Sequence, residues 1–236
     1  LNKKLELITI KDPKSPISES YRILRTNIQF SSFDEKISVI FVTSSTPGEG
    51  KSTTSANLAI TMAQNGAKTI LVDCDLRKPN VHKLFKLSNI RGLSNLLIED
   101  NSIDGVIQQS SVENLHILTS GVKPPNPSEL LSSRKMNNFI ETSKKHYDYI
   151  ILDTPPVGVV TDAQLVSQYS DGGILVTASG QVERELAIRA KQLLEKVNAK
   201  IIGVVLNKVD TEFGNGYRYY NYYYEEDGEK KKRNKK

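Results

Sequence analysis

The sequence has one cysteine, Cys74, and no uninterrupted apolar run of membrane-spanning length. A lone thiol excludes an internal disulfide framework and fits a reducing compartment. A spanning helix needs about 18 or more apolar residues in a row, so no membrane span is expected. The opening LNKKLELITIKDPKS lacks the apolar stretch of a signal peptide. The expected location is therefore cytoplasmic. A start at Leu1 fits a trimmed chain, an unusual start codon or a piece of a fused membrane protein. No internal repeat is present.

A basic folded surface is also missing. The net charge is +5, but six positive charges sit in the last seven residues, KKKRNKK. The rest of the chain is close to neutral, so a nucleic-acid partner is not expected. The basic end reads either as a solvated charge run or as an attraction to anionic lipid headgroups.

What is present is an alternation. Short apolar runs at 37–44, 68–75, 147–156, 172–179 and 200–208 read as strands, and 53–66 and 183–199 have helical spacing. Fully apolar strands alternating with helices imply an α/β fold of three layers, with a mostly parallel central sheet and helices on both faces. Residues 79–146 are less regular, and KPPNP at 123–127 marks a turn. Residues 1–208 read as one domain. Residues 209–236 have no apolar periodicity and read as a flexible tail with a basic end. Six of the ten tyrosines lie there: Tyr217, Tyr219, Tyr220, Tyr222, Tyr223 and Tyr224.

SSTPGEGKST (44–53) joins a strand to a helix and contains Gly48, Glu49, Gly50, Lys51, Ser52 and Thr53. Glycines let backbone N–H groups turn toward phosphate oxygens, and the helix N-terminus adds partial positive charge. Lys51 is placed to reach β/γ-phosphates and Ser52 to ligate Mg²⁺. The strict P-loop pattern has Gly where this chain has Ser45. The fold expected is therefore that of a P-loop NTPase.

ILVDCDLRKP ends a strand on Asp73 and Asp75, and YIILDTPP ends another on Asp153. Strand alternation puts Asp73 and Asp75 on one face, at the end of the sheet where α/β ligands bind. Facing carboxylates repel unless a cation or proton joins them, and Mg²⁺ is the natural partner. Capping of a following turn is the competing explanation for one of the three. VLNKVD (205–210) matches the N-K-x-D pattern that reads guanine, yet an Asn at this strand end also contacts adenine. Asn207 is thus a base-contact candidate for either nucleotide.

Together these residues resemble bacterial protein-tyrosine kinases, the P-loop type that controls capsule and exopolysaccharide synthesis. TSSTPGEGKSTTSANLA is similar to their Walker A, ILVDCDLRKP to their Walker A′, YIILDTPP to their Walker B, and KPPNPSELL (123–131) to a further family stretch. ESYRILRTNI fits their E-x-x-R-x-x-R motif through Glu19, Arg22 and Arg25, and the clustered tyrosines match their autophosphorylated tail. The K-G-G-x-G-K-[ST] loop of the partition ATPases is absent, as are the H-R-D and D-F-G of eukaryotic-type kinases.

The resemblance implies ATP and Mg²⁺ as cofactors and phosphate transfer to the tail tyrosines between subunits. It implies a homo-oligomeric ring in which Glu19, Arg22 and Arg25 make intersubunit contacts; the residues alone fit intrahelical pairing equally well. Further implied are a membrane adaptor of the polysaccharide co-polymerase type holding the protein at the inner face of the membrane, a cognate tyrosine phosphatase, and other protein substrates. In this reading Lys51 holds phosphate, and Ser52, Asp75 and Asp153 organise Mg²⁺. Asp73 accepts the tyrosine proton, although Asp73 and Asp75 are interchangeable on sequence. A regulatory P-loop ATPase or GTPase, or a nucleotide-dependent scaffold, whose tail is a binding tag is the alternative.

Overall fold

A computed structural model describes residues 7–31, 36–99 and 105–210. The six tail tyrosines and the basic end lie outside the described residues.

Seven strands form one sheet: β1 (Val39–Ser44), β2 (Thr69–Asp73), β3 (Gln108–Gln109), β4 (Leu115–Leu118), β5 (Tyr149–Asp153), β6 (Gly172–Ala178) and β7 (Ile201–Asn207). Their order is β3-β4-β2-β5-β1-β6-β7. Every pairing is parallel except β3 with β4. The five strands expected from the apolar runs are β1, β2, β5, β6 and β7. The central ones are buried on both faces, which is why they read as unbroken apolar runs.

Strand alternation divides the core in two. Val39 and Phe41 of β1, with Leu152 and Leu175, pack under α5 (Leu93–Ile98), α7 (Arg134–Ser143), α8 (Asp162–Ser167) and α9 (Arg184–Glu195). Ile40 and Val42, with Ile151 and Val176, pack under α3 (Lys51–Gln64), α2 (Pro16–Phe30) and α4 (Val81–Phe85). α1 (Ile8–Lys11) is tied to α3, since the Asn57 side chain accepts from the Thr9 N–H and hydroxyl. α6 (Pro127–Leu131) adds Leu131 to the first cluster. The irregular middle holds β3, β4 and α4–α7. Apart from α7, its elements are two to six residues long, too short to show a period.

α2 starts where sequence chemistry says it should: the Ser15 hydroxyl accepts from the Ser18 N–H at 3.2 Å and Pro16 occupies the first turn. α3 differs. Its N-cap is Gly50 at φ +97°, with no capping side chain. The first-turn N–H groups are therefore left without a side-chain acceptor, the usual arrangement for anion binding.

Gly173 of β6 lies under Phe41: a Cβ there would come within 2.0 Å of the ring's Cζ. Gly173→Ala is expected to destabilise the fold by about 1–3 kcal/mol through overpacking. Phe41→Leu in the same chain should recover part of that loss. Denaturant midpoints of the single and double variants check it, and additive losses would refute the contact.

Candidate active site

The phosphate loop is shaped by side chains turned into it. Gly48 and Gly50 hold positive φ, +85° and +97°. The buried Glu49 carboxylate accepts from the Thr46 N–H at 2.5 Å, the Thr46 hydroxyl at 3.1 Å and the Ala178 N–H of β6 at 3.1 Å. From the end of β7 the Asn207 amide donates to the Glu49 carbonyl at 2.8 Å, and the Lys208 ammonium donates to the Gly48 carbonyl at 2.8 Å. A Cβ on Gly50 would collide with the Asn207 amide at 2.0 Å, so glycine is required there twice over. The N-K of the N-K-x-D pattern thus braces the loop in this structure. The Glu49 side chain is spent on the loop itself, so a nucleotide contact from this residue would have to come from its backbone.

Three carboxylates gather at the carboxyl ends of β2 and β5, where Asp73 and Asp153 are register partners on adjacent parallel strands. β2 stops at Asp73, so the expected alternation does not extend to Asp75, and the two side chains take different neighbours. Asp73 is fully buried and accepts from the Asp75 N–H at 3.2 Å, the Asn80 N–H at 3.1 Å and the Val81 N–H at 3.0 Å. It therefore ties down the turn into α4, the capping role that competed for one of the acids. Asp75 accepts from the Lys78 N–H at 2.9 Å and pairs with the Lys51 ammonium at 3.1 Å. Asp153 accepts from the Ser55 hydroxyl at 3.1 Å through Oδ1.

Burial dominates their protonation. It pushes Asp73 up to about 8, helped by Asp153 and Asp75 and opposed by the Val81 N–H and Lys51. It also pushes Asp153 up, against Lys51 and the Ser52 and Ser55 hydroxyls. For Lys51 burial acts downward, but the Asp153 and Asp75 carboxylates outweigh it and hold the ammonium above its ordinary value.

Asp153 Oδ2 is buried with no hydrogen-bond partner among the described residues. An oxygen in that state, beside the Ser52 hydroxyl, suits a hard cation such as Mg²⁺. No group of three or more His, Cys, Asp or Glu forms a metal cage among the described residues. A Mg²⁺ ion here would have to share its shell with phosphate and water, its usual habit in nucleotide sites.

A cavity of about 410 Å³ opens over this cluster, lined by Gly48, Gly50, Lys51, Ser52, Thr53 and Asp75 on the phosphate-loop side. A larger one, about 750 Å³, lies at the opposite end of the sheet around Lys68, His116 and Tyr147. Ligands of open α/β sheets bind at the carboxyl ends of strands, so the smaller cavity is the candidate active site. At its mouth Arg77 grips the buried Asp162 of α8 with two bonds, 2.8 and 3.0 Å, and donates to the Ser128 hydroxyl at 2.9 Å. Arg77 and Ser128 belong to two of the motif stretches; Asp162 carries no sequence signal.

Glu19, Arg22 and Arg25 lie on α2, away from these residues in the chain. Glu19 and Arg22 pair within the helix at 2.6 Å, while Arg25 donates to the Thr61 carbonyl of α3 at 3.2 Å. Within a single chain the first pair thus makes the intrahelical contact that the spacing allows. Arg25 Nε is buried and has no partner among the described residues.

Comparison with known proteins decides the family. The ParA family model, described as an NUBPL iron-transfer P-loop NTPase, matches residues 36–236. Tyrosine-protein kinase YwqD of Bacillus subtilis (strain 168) is 44% identical over 214 residues, 91% of this chain and 90% of its own. The crystal structure of the chimerical protein CapA2B2 is 45% identical with a TM-score of 0.84, over 86% of this chain and 89% of that one. The chain belongs to the bacterial P-loop protein-tyrosine kinases. The kinase domain of the Escherichia coli tyrosine kinase ETK gives the same TM-score at 33% identity, over 89% of this kinase and 83% of that chain. Among the described residues no group of three or more His, Cys, Asp or Glu is set to hold a metal ion, and the single cysteine is buried.

Asn207→Ala removes one support from the loop of this kinase, a loss of about 0.5–1.5 kcal/mol. It is expected to weaken binding of ATP and of inorganic tripolyphosphate alike, measured by calorimetry. Weakening confined to ATP would make Asn207 a base contact rather than a brace.

Proposed function

We propose that this tyrosine kinase uses ATP to phosphorylate its own C-terminal tyrosines, passing phosphate between subunits, and thereby regulates capsular or exopolysaccharide synthesis and export. The observation that carries this is the meeting of Lys51, Ser52 and Asp75 at one cavity, with the buried Asp153 behind Lys51 and Ser52, in a chain that also carries six clustered tyrosines. From Lys208 to the cluster is 9 to 16 residues, roughly 30–55 Å extended and about 15–24 Å as a coil. That is far enough for a neighbour's site.

Phosphoryl transfer asks a protein mainly to position groups and stabilise charge. The loop amides and Lys51 hold the β/γ-phosphates, so Lys51 leaves its pair with Asp75 when nucleotide enters. Ser52 and Asp153 are the residues that would hold Mg²⁺, and the ion would supply positive charge against the phosphates. Asp75, freed of Lys51 and lining the cavity, takes the proton of the tyrosine hydroxyl as its oxygen bonds to the γ-phosphorus and ADP leaves. Sequence reasoning put Asp73 first for this role. The full burial of Asp73 and its three N–H donors favour Asp75, which lines the cavity, and leave Asp73 to fix the turn that carries Asp75.

In this reading the unmodified protein assembles into a ring through Glu19, Arg22 and Arg25. Each phosphate adds about −1.5 to −2 charges, so a fully modified tail repels its neighbours and the ring separates. A membrane adaptor recruits and activates the kinase at the inner face of the membrane, a phosphatase resets it, and other proteins are further substrates. Among the described residues no helix is long and apolar enough to cross a membrane.

Intact mass after incubation with ATP–Mg²⁺ or GTP–Mg²⁺ tests the activity. Wild type should gain phosphates with ATP, mapped to Tyr217–Tyr224, and Lys51→Met should lose at least about 100-fold in rate while keeping its fold. Equal labelling of the variant would remove Lys51 from the site. Nucleotide turnover without tail labelling, even with the adaptor's cytoplasmic segment added, would favour a P-loop switch.

A further inference from the structure

The cavity has a wall that phosphate chemistry does not require. It is built by Pro155, Pro156, Val159 and Val160, and it is held firmly. The Val157 N–H donates to the Ser44 carbonyl at 2.9 Å and to the Thr43 hydroxyl at 3.1 Å. The Thr43 hydroxyl in turn donates to the Pro155 carbonyl at 2.9 Å. The Val159 and Val160 N–H groups both donate to the Pro156 carbonyl, at 3.1 and 3.3 Å. A Cβ on Gly158 would come within 2.3 Å of the Ser45 carbonyl, so the turn sits directly on the phosphate loop. Yet Val159 is 60% exposed. A rigid turn thus presents an apolar side chain to solvent beside the reacting groups, where no core needs it.

Lys78 lines the same cavity. Its backbone N–H is spent on Asp75, but its ammonium is exposed and has no ion-pair partner among the described residues. The neighbouring Arg77 differs, being committed to Asp162. An apolar wall next to an uncommitted cation is the complement of an aromatic ring followed by acidic residues. The chain contains that sequence: Tyr222, Tyr223 and Tyr224 run directly into Glu225, Glu226 and Asp227. At the other end of the cluster Tyr217 is followed by Arg218, which carries the same charge as Lys78.

We infer that Val159, Val160 and Lys78 form an acceptor subsite: the valines receive the tyrosine ring, and Lys78 selects acidic residues on its C-terminal side. This rests on the reading of the tail as the kinase's acceptor. The subsite imposes an order on the cluster. Tyr224, nearest the acids, is modified first and Tyr217 last. Partly exposed ion pairs are worth little individually, so the initial rates at the two ends differ by about three- to tenfold.

Site-resolved mass spectrometry of the full chain during labelling with ATP–Mg²⁺ tests this. Wild type should lose its Tyr224 preference in Lys78→Glu. It should also lose it when Glu225, Glu226 and Asp227 are all changed to Lys, and combining the two changes should restore it. Val159→Ser should raise the acceptor KM at every tyrosine without changing the order. Labelling of the wild type with no order, with the reverse order, or with losses that add in the combined variant would overturn the subsite and leave the kinase reading intact. A wild type that labels none of the six would overturn the tail as acceptor, and the subsite with it.

Discussion

Three carboxylates crowded at two adjoining strand ends, with one ammonium among them, are the constraint on which the rest of the site depends. The sheet creates the problem. Asp73 and Asp153 stand side by side because β2 and β5 are parallel and in register. Desolvating like charges at close range is costly, and the protein meets the cost in three ways. Backbone N–H groups from the turn into α4 serve Asp73, Lys51 serves Asp75, and Asp73 is held near neutrality on the acid side of about 8. What is left over is one oxygen of Asp153 without a hydrogen-bond partner among the described residues. A nucleotide carrying a hard cation would meet that need while drawing Lys51 toward phosphate.

The phosphate loop is fixed from the opposite direction. Its shape comes from Glu49, Asn207 and Lys208, so the strand end that leads into the tail also holds the loop. That geometry gives N-K-V-D a meaning independent of which base is bound. The first two residues are spent on loop carbonyls, so the pattern alone does not argue for guanine. The same economy appears at the cavity mouth, where Arg77, Ser128 and the buried Asp162 lock the segment after β2 to α6 and α8.

Much of this was legible in the chain. Strands buried on both faces advertise themselves as apolar runs, so β1, β2, β5, β6 and β7 could be read, as could the P-loop between β1 and α3. β4 and α4–α6 could not, because four to six residues do not display a period. The three acids were found because acids at strand ends stand out against apolar sequence. Their division of labour was not, since it turns on where β2 stops: one residue decides that Asp73 faces α4 while Asp75 faces Lys51. Asp162 was invisible because its significance lies in contacts to Arg77 and Ser128, made across 85 and 34 positions of sequence. The wall at Val159 was equally silent, for an exposed valine is ordinary until a rigid turn sets it beside a reaction site.

The buried acids repel one another, and their burial is costly without ligand. A carboxyl whose folded pKa of about 8 exceeds its unfolded value of about 3.9 binds more protons folded than unfolded between those limits. Its contribution to stability is therefore greatest below about pH 4 and is lost as pH rises toward 8. The most direct test is the unfolding free energy of the ligand-free protein against that of Asp153→Asn, measured by denaturant titration at several pH values from 4 to 8. The variant should gain on wild type steadily as pH rises, because removing one charge relieves the other. A difference that stays flat across that range would contradict it.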